Sequence, residues 1–199
     1  MSLRILLVRH GLSSFNLEHR IQGRDDLSSL TDAGLEQARA TGAALRDLPI
    51  QAAYSSPLRR ARDTAIALLE AHGGGLKAQL DEDLLEVDLA PWSGLLASEV
   101  RERFPSEHRI WRHHPEQLQL QRPDGSRYAP IPELMEQASR FAERLLTAHD
   151  PAAPTNQTVL VVGHNAILRC LLLVLLGLPA SGFRRLRLDN ASLSVLNLT

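Results

Sequence analysis

Two histidines follow directly on strongly apolar runs: His10 after Leu3–Val8 and Arg9, and His164 after Thr158–Val162 and Gly163. An imidazole can act as a nucleophile or move a proton near neutral pH. Both have neighbours that favour anions. Arg9 and Gly11 flank His10, and a helix that opens after His164 would point free amides at a negative group. Taken alone, Arg-His-Gly after a strand is a weak pattern, and a lone histidine there is more often structural. Here further polar residues accompany the pair in chain order: Asn16, Gln22-Gly23, Ser55-Ser56-Pro57-Leu58-Arg59-Arg60-Ala61, Leu85-Glu86 and Val162-Gly163-His164-Asn165.

The elements that must position these groups are legible from periodicity. Leu3–Val8 and Thr158–Val162 are continuous apolar runs, as expected of inner strands covered on both faces. Gln51–Tyr54 reads as a further short strand, and Leu76–Leu80 alternates in strand fashion. Leu35, Ala38, Leu45 and Leu48 recur at helical spacing over Thr31–Leu48, with Thr31 or Asp32 available to cap. Ser56-Pro57 places a capping hydroxyl before a proline and predicts a helix to about His72, broken by Gly73–Gly75. A helix near Ser98–Phe104 stops at Pro105, another spans Pro132–His149, and a buried one runs from Asn165 to Leu176. The segment 105–132 reads as an irregular excursion with one short helix, of the kind that covers a site. Leu186 and Leu188 with Leu193, Val195 and Leu196, around Asp189–Ser192, read as a terminal hairpin. In open α/β sheets ligands bind beyond the carboxyl ends of strands, where both histidines stand.

In that order and spacing the set resembles the histidine phosphatase superfamily, also called phosphoglycerate mutase-like, over Leu3–Leu198. The resemblance implies an α/β three-layer sandwich with a mainly parallel central sheet and helices on both faces, in a single domain over 1–199 with a lid around 105–132. It also implies that His10 is the phosphorylated nucleophile, that Arg9 and Arg60 clamp the phosphoryl oxygens, and that His164 stabilises the charge in flight. Arg60 is preferred to Arg59 because the family's arginine directly precedes an alanine. Glu86 resembles the family's proton donor, with Asp88 its rival two residues on. Asn16, Gln22 and Gly23 match positions that line the phosphate pocket.

The chemistry is self-consistent without a metal. Two arginines and a second histidine can supply the cations that Mg²⁺ supplies in kinases. Nearby cations also favour a neutral, nucleophilic imidazole. His108, His113 and His114 lack a carboxylate or cysteine at ligand spacing, so neither a metal nor another cofactor is expected. Six arginines, four acids and three histidines in Arg101–Arg127 could read a substrate carboxylate or second phosphate, with a solvated face as the bland alternative.

Some positions depart from the family's pattern. Leu12 stands where many members carry an acid or amide. His164-Asn165-Ala166-Ile167-Leu168-Arg169 is more like the phosphatase and fructose-2,6-bisphosphatase branch than the mutases, and the mutases' Glu-Arg-His-Tyr pattern is missing at Glu86. Hydrolysis of a small phosphomonoester is therefore expected, with phosphoglycerate mutase chemistry as the alternative and a silent phospho-ligand binding module as a second. Asp88–Gly94 and Phe104–Pro115 look similar to cyanobacterial members, whose described activities point to a phosphorylated hydroxy acid, phosphoserine or a sugar phosphate.

Composition bounds the partners. The 199 residues carry 22 basic and 23 acidic side chains, a net charge of −1, so no overall field would hold a nucleic acid or a membrane surface. The expected partner is a small anionic phosphorylated metabolite, and a homodimer is left open. Lys77 is the one lysine; the arginine forks suit phosphate, or reflect codon bias. Cys170 among leucines reads as a buried thiol in a reducing compartment. Leu171–Leu178 is too short to span a membrane. The N-terminal run is too short for a signal segment, so cytoplasm is the expected compartment. The chain could be a small enzyme or the first domain of a longer one.

Overall fold

The computed structural model describes residues 2–199. Strand β1 (Leu3–Arg9) carries its side chains alternately to two faces, and both are covered. Leu3, Ile5 and Leu7 enter one hydrophobic core while Leu6 and Val8 enter another. Strand β2 (Ala52–Ser55), the two-residue β3 (Gln79–Leu80), β6 (Gln157–Gly163) and β7 (Leu193–Leu198) complete a five-stranded sheet, the two-residue β4 (Leu120–Gln121) and β5 (Arg127–Tyr128) lying apart from it. Its order is β3-β2-β6-β1-β7, parallel except for β7, which runs antiparallel to β1.

Helices cover both faces. Helix α1 (Ser14–Leu17) is one turn after β1. Helix α2 (Asp32–Ala44) packs on α3 (Arg59–His72), whose Ala61, Ala65, Leu68 and Leu69 close the core around Leu6 and Val8. A Cβ on Gly42 of α2 would stand 2.1 Å from the Leu68 carbonyl oxygen, so these helices meet backbone to backbone. Helices α4 (Ala97–Arg103) and α5 (Pro105–His113) lie in the segment leading from the Glu86 loop. Helices α6 (Pro130–Ala148) and α7 (Asn165–Leu175) pack together on the opposite face, where Phe141, Leu145, Ile167 and Leu171 meet Ile5 and Val161. This is the α/β sandwich expected from the sequence.

Four local expectations are corrected. Ser56 does not cap α3: the N-cap is Leu58, without a side-chain cap bond, and the serine hydroxyl is committed to His164 instead. Residues 186–188 form no strand; the Leu188 carbonyl accepts from Arg9 Nη1 at 2.8 Å, which takes it out of any ladder, and β7 pairs with β1 alone. The alternating run Leu76–Leu80 contributes only Gln79–Leu80 to the sheet. The 105–132 segment is more regular than its five prolines suggested, because Pro105 opens α5 at the first helical position, where its missing N–H costs nothing. The β4–β5 pair then turns through Asp124-Gly125.

No helix among the described residues is long and apolar enough to cross a membrane. Cys170 is fully buried, and burial pushes its thiol pKa well up.

Candidate active site

The register of β1 on β6 pairs Arg9 with Gly163, which delivers His10 and His164 side by side at the carboxyl edge of the sheet. The His10 amide donates to the Gly163 carbonyl at 2.9 Å, and the two rings meet edge to face with centroids 5.2 Å apart. His10 is 2% exposed and His164 is fully buried.

The His10 Nδ1 lies 2.8 Å from the carbonyl oxygen of Gly11. A carbonyl can only accept, so Nδ1 carries the proton and Nε2 keeps its lone pair. Burial lowers the His10 pKa well below its usual value, and Arg60 and Arg9 lower it further; both effects favour the neutral ring. His164 is lowered in the same way, by burial first and then by Arg60. Its Nε2 lies 2.8 Å from Ser56 Oγ, which fixes the ring on the residue just beyond β2.

The His10 loop is held at close quarters. The Gly11 amide donates to Thr64 Oγ1 at 3.0 Å, and a Cβ on Gly11 would stand 2.3 Å from the Gly34 carbonyl oxygen. Only glycine fits between the loop and the first turn of α2. Asn190 Nδ2 bridges the carbonyls of His10 and Gly11 and the Asn16 side-chain oxygen.

Arg9, His10, Gln22, Gly23, Arg60 and Glu86 converge on one cavity of about 200 Å³. Arg60 is fully buried at the start of α3 and donates to the carbonyls of Gly23 and Asp25 at 2.8 and 2.7 Å. Gly23 adopts φ 53°, and its carbonyl is thereby turned to the guanidinium. Arg59, by contrast, points outward and pairs with Asp63 at 3.5 Å. Two expected residues are not part of the cavity wall. His164 stands behind His10, and Asn16 sits at the third position of α1, its oxygen accepting from the amide and hydroxyl of Ser13. Gln22 reaches that cluster as well, its side-chain amide lying 3.0 Å from Ser13 Oγ.

Glu86 and Asp88 do not share a strand face, since the backbone from Glu82 to Trp92 is 3-10 turns and loop. Glu86 is 9% exposed and lines the cavity, whereas Asp88 accepts from the Ala90 amide outside it. The Glu86 oxygens accept from the amides of Ala166 and Ile167 at 3.1–3.2 Å, the free N–H groups at the start of α7, and from Val87 at 2.9 Å. The α7 N-terminus thus holds the carboxylate one residue beyond His164.

Sequence reasoning missed the frame behind Glu86. Gln137, 5% exposed on α6, donates to the carbonyls of Asp83 and Leu85 and accepts from Arg24 Nη2, while Arg24 Nε donates to the Glu86 carbonyl. Its signal was a glutamine on the apolar stripe of Leu134, Ala138 and Phe141. The outer wall was also missed: Trp111 of α5, Phe183, Arg169 and Arg184. The 105–132 segment therefore reaches the site through Trp111. No group of three His, Cys, Asp or Glu among the described residues is arranged to hold a metal.

The chain is similar in sequence and fold to known phosphatases. The wheat (Triticum aestivum) 2-carboxy-D-arabinitol-1-phosphatase is 37% identical over 196 residues, 98% of this chain but 37% of that protein. The chain thus spans little over a third of that relative. Phosphoserine phosphatase 1 of Hydrogenobacter thermophilus is 33% identical over 98% of this chain and 87% of its own length. Among solved structures, a mycobacterial glucosyl-3-phosphoglycerate phosphatase complexed with VO3 superposes with a TM-score of 0.82 at 28% identity, covering 96% of this chain and 91% of that one. The family model described as the histidine phosphatase superfamily (branch 1) matches residues 5–199, and the chain belongs to that superfamily.

Proposed function

We propose that this chain is a metal-independent phosphomonoesterase whose nucleophile is His10 Nε2. The observation that carries the reading is the Nδ1 contact with the Gly11 carbonyl, which leaves Nε2 as a lone pair on a buried, neutral ring between two arginines. Arg9 and Arg60 hold the phosphoryl oxygens, and His164, oriented by Ser56 and packed edge to face on His10, supports the nucleophile from behind as charge builds. Gln22 and Gly23 shape the phosphate end of the cavity, and Asn16 supports their loop.

Two steps follow. His10 Nε2 forms a bond to phosphorus as the ester P–O bond breaks, and the leaving oxygen takes the proton of the Glu86 carboxyl. Water then gives a proton to the Glu86 carboxylate and attacks phosphorus, the P–N bond breaks, and inorganic phosphate leaves with His10 neutral again. The guanidinium set supports charge neutralisation without a divalent cation.

The reading extends to a single domain with 105–132 as its lid, supported by Trp111 at the cavity wall. It also extends to a cytoplasmic location, supported by the buried free thiol of Cys170, and to a likeness with cyanobacterial members at Asp88–Gly94 and Phe104–Pro115. The test is phosphate release from phosphoserine, 3-phosphoglycerate and sugar phosphates in EDTA, with wild type and His10→Ala, alongside an assay for 3- to 2-phosphoglycerate conversion. Release that His10→Ala abolishes supports hydrolysis. Isomerisation without release would replace it with mutase chemistry.

A further inference from the structure

The turn Asp189–Ser192, closed by the Ser192 amide on the Asp189 carbonyl at 3.1 Å, joins no hairpin, and its bonds run instead to the loop that carries His10. The Ala191 amide donates to the carbonyls of Arg9 at 3.0 Å and His10 at 3.2 Å, and the Ala191 carbonyl accepts from Thr41 Oγ1 at 3.2 Å. Ala191 stands at φ 53°, a left-handed conformation that a residue with a Cβ disfavours. Such strain persists where the surrounding contacts over-determine it, and it gathers at functional sites. The residue that this turn presents to the His10 loop is Asn190.

Asn190 Nδ2 lies 3.1 Å from the His10 carbonyl, 3.3 Å from the Gly11 carbonyl and 3.0 Å from Asn16 Oδ1. Backbone carbonyls only accept, so the end of Asn190 that meets them is its NH₂ group. Asn16 Oδ1 is an acceptor in the same way, since the Ser13 amide also donates to it, at 3.3 Å. The Gly11 carbonyl therefore receives two donors, His10 Nδ1 at 2.8 Å and Asn190. Nothing covalent keeps that carbonyl against the ring, because a glycine backbone turns more freely than any other. The far end of the same peptide plane, the Leu12 amide, donates to Gln37 Oε1 at 3.0 Å. Turning the plane over would bring the Leu12 N–H beside Nδ1, which would then have to accept, and the proton would move to Nε2.

We propose that Asn190 is a positioning residue for the nucleophile: by holding the Gly11 carbonyl against His10 Nδ1, it keeps the proton on Nδ1 and the lone pair on Nε2. Asn190 is not among the residues that line the cavity, so it acts through His10 and not on the substrate. The strained turn at Ala191 and the bond from Thr41 set its position, which ties the entry to β7 to the reactivity of a histidine 180 residues earlier. This inference rests on the reading of His10 as the nucleophile.

The test reads the tautomer itself, by long-range ¹H–¹⁵N NMR of the imidazole nitrogens, with His10→Ala identifying the His10 signals by their loss. In wild type the protonated nitrogen of His10 is Nδ1. Asn190→Ala removes the donor, and Asn190→Asp, close to it in shape, sets a carboxylate oxygen against two carbonyls; both variants raise the share of the Nε2–H form. For p-nitrophenyl phosphate, kcat falls about 2- to 10-fold in Asn190→Ala, the range of one neutral hydrogen bond, and further in Asn190→Asp, with KM little changed. The two neutral tautomers carry the same charge, so the loss is the same at every pH at which the ring is neutral. Thr41→Val loosens the same turn at the Ala191 carbonyl without touching the Gly11 carbonyl, and its tautomer stays as in wild type. An unshifted tautomer in both Asn190 variants, an equal shift in Thr41→Val, the Nε2–H form in wild type, or loss of the native fold in Asn190→Ala overturns the proposal. A shifted tautomer with unchanged kcat supports the role of Asn190 and removes Nε2 as the reacting atom, so the two readings fail separately.

Discussion

His164 Nε2 stands 2.8 Å from the hydroxyl of Ser56, so a serine one residue past β2 sets the orientation of a ring one residue past β6. The two residues are 108 apart in sequence and joined by the parallel pairing of β2 and β6. The same hydroxyl accepts from the Leu58 amide, which ties the entry to α3, and thereby Arg60, to the histidine pair.

Ser56→Ala leaves a buried His164 nitrogen without a partner. The expected loss is about 1–3 kcal/mol of unfolding free energy, with a lower kcat. Urea unfolding at constant m-value, together with steady-state kinetics, checks this; unchanged stability would mean that the contact contributes nothing.

Glu86→Gln keeps the shape of the side chain but cannot donate and recover a carboxyl proton. Hydrolysis of an alkyl phosphate should fall about 10²- to 10⁴-fold, and that of p-nitrophenyl phosphate much less, because its leaving group needs little protonation. Equal losses would remove the proton-donor role. Asp88→Asn is the control and should change neither ratio.

The buried histidines fix a pH window. Both have pKa values held well below the usual 6.5, by burial first and by Arg60 next, so unfolding increases their affinity for protons. Their contribution to stability is fully present above the unfolded value near 6.5 and is lost as pH falls towards the folded values. NMR titration of the imidazole signals should show both rings neutral through pH 6.5. A midpoint for His10 at its ordinary value would contradict the environment described.

Gly34→Ala should destabilise the protein although alanine is about 1 kcal/mol the better helix former. An added Cβ would stand 2.2 Å from the Leu12 carbonyl oxygen, and overpacking of that kind costs about 1–3 kcal/mol, here against backbone that cannot rotate away. Thermal unfolding gives the sign; a stabilised variant would show that the His10 loop yields freely.

Much of this was legible in the sequence, for reasons that differ by residue. Strands buried on both faces announce themselves as unbroken apolar runs, which placed His10 and His164, while Arg60 was singled out by the resemblance to the family's arginine before an alanine. Contacts between distant polar groups were not legible. Ser56 looked like a helix cap because a serine before proline usually is one, and only the sheet register revealed its partner. The hairpin expected around Asp189–Ser192 failed because Leu188 gives its carbonyl to Arg9, and alternation in hydrophobicity does not show where carbonyls go. Gln137 and Arg24 were invisible as a pair, since their link crosses 113 residues. In the 105–132 segment one short helix was expected but its start at Pro105 was not, because prolines that break helices also start them.

The central claim is covalent, and it is tested most directly by quenching turnover of p-nitrophenyl phosphate in EDTA under alkaline conditions, which preserve phosphohistidine, and locating the phosphoryl group by peptide mass spectrometry. The account predicts one phosphoryl group on His10, and none on His164 or in His10→Ala. Turnover with no label on His10, or label on another residue, would contradict it.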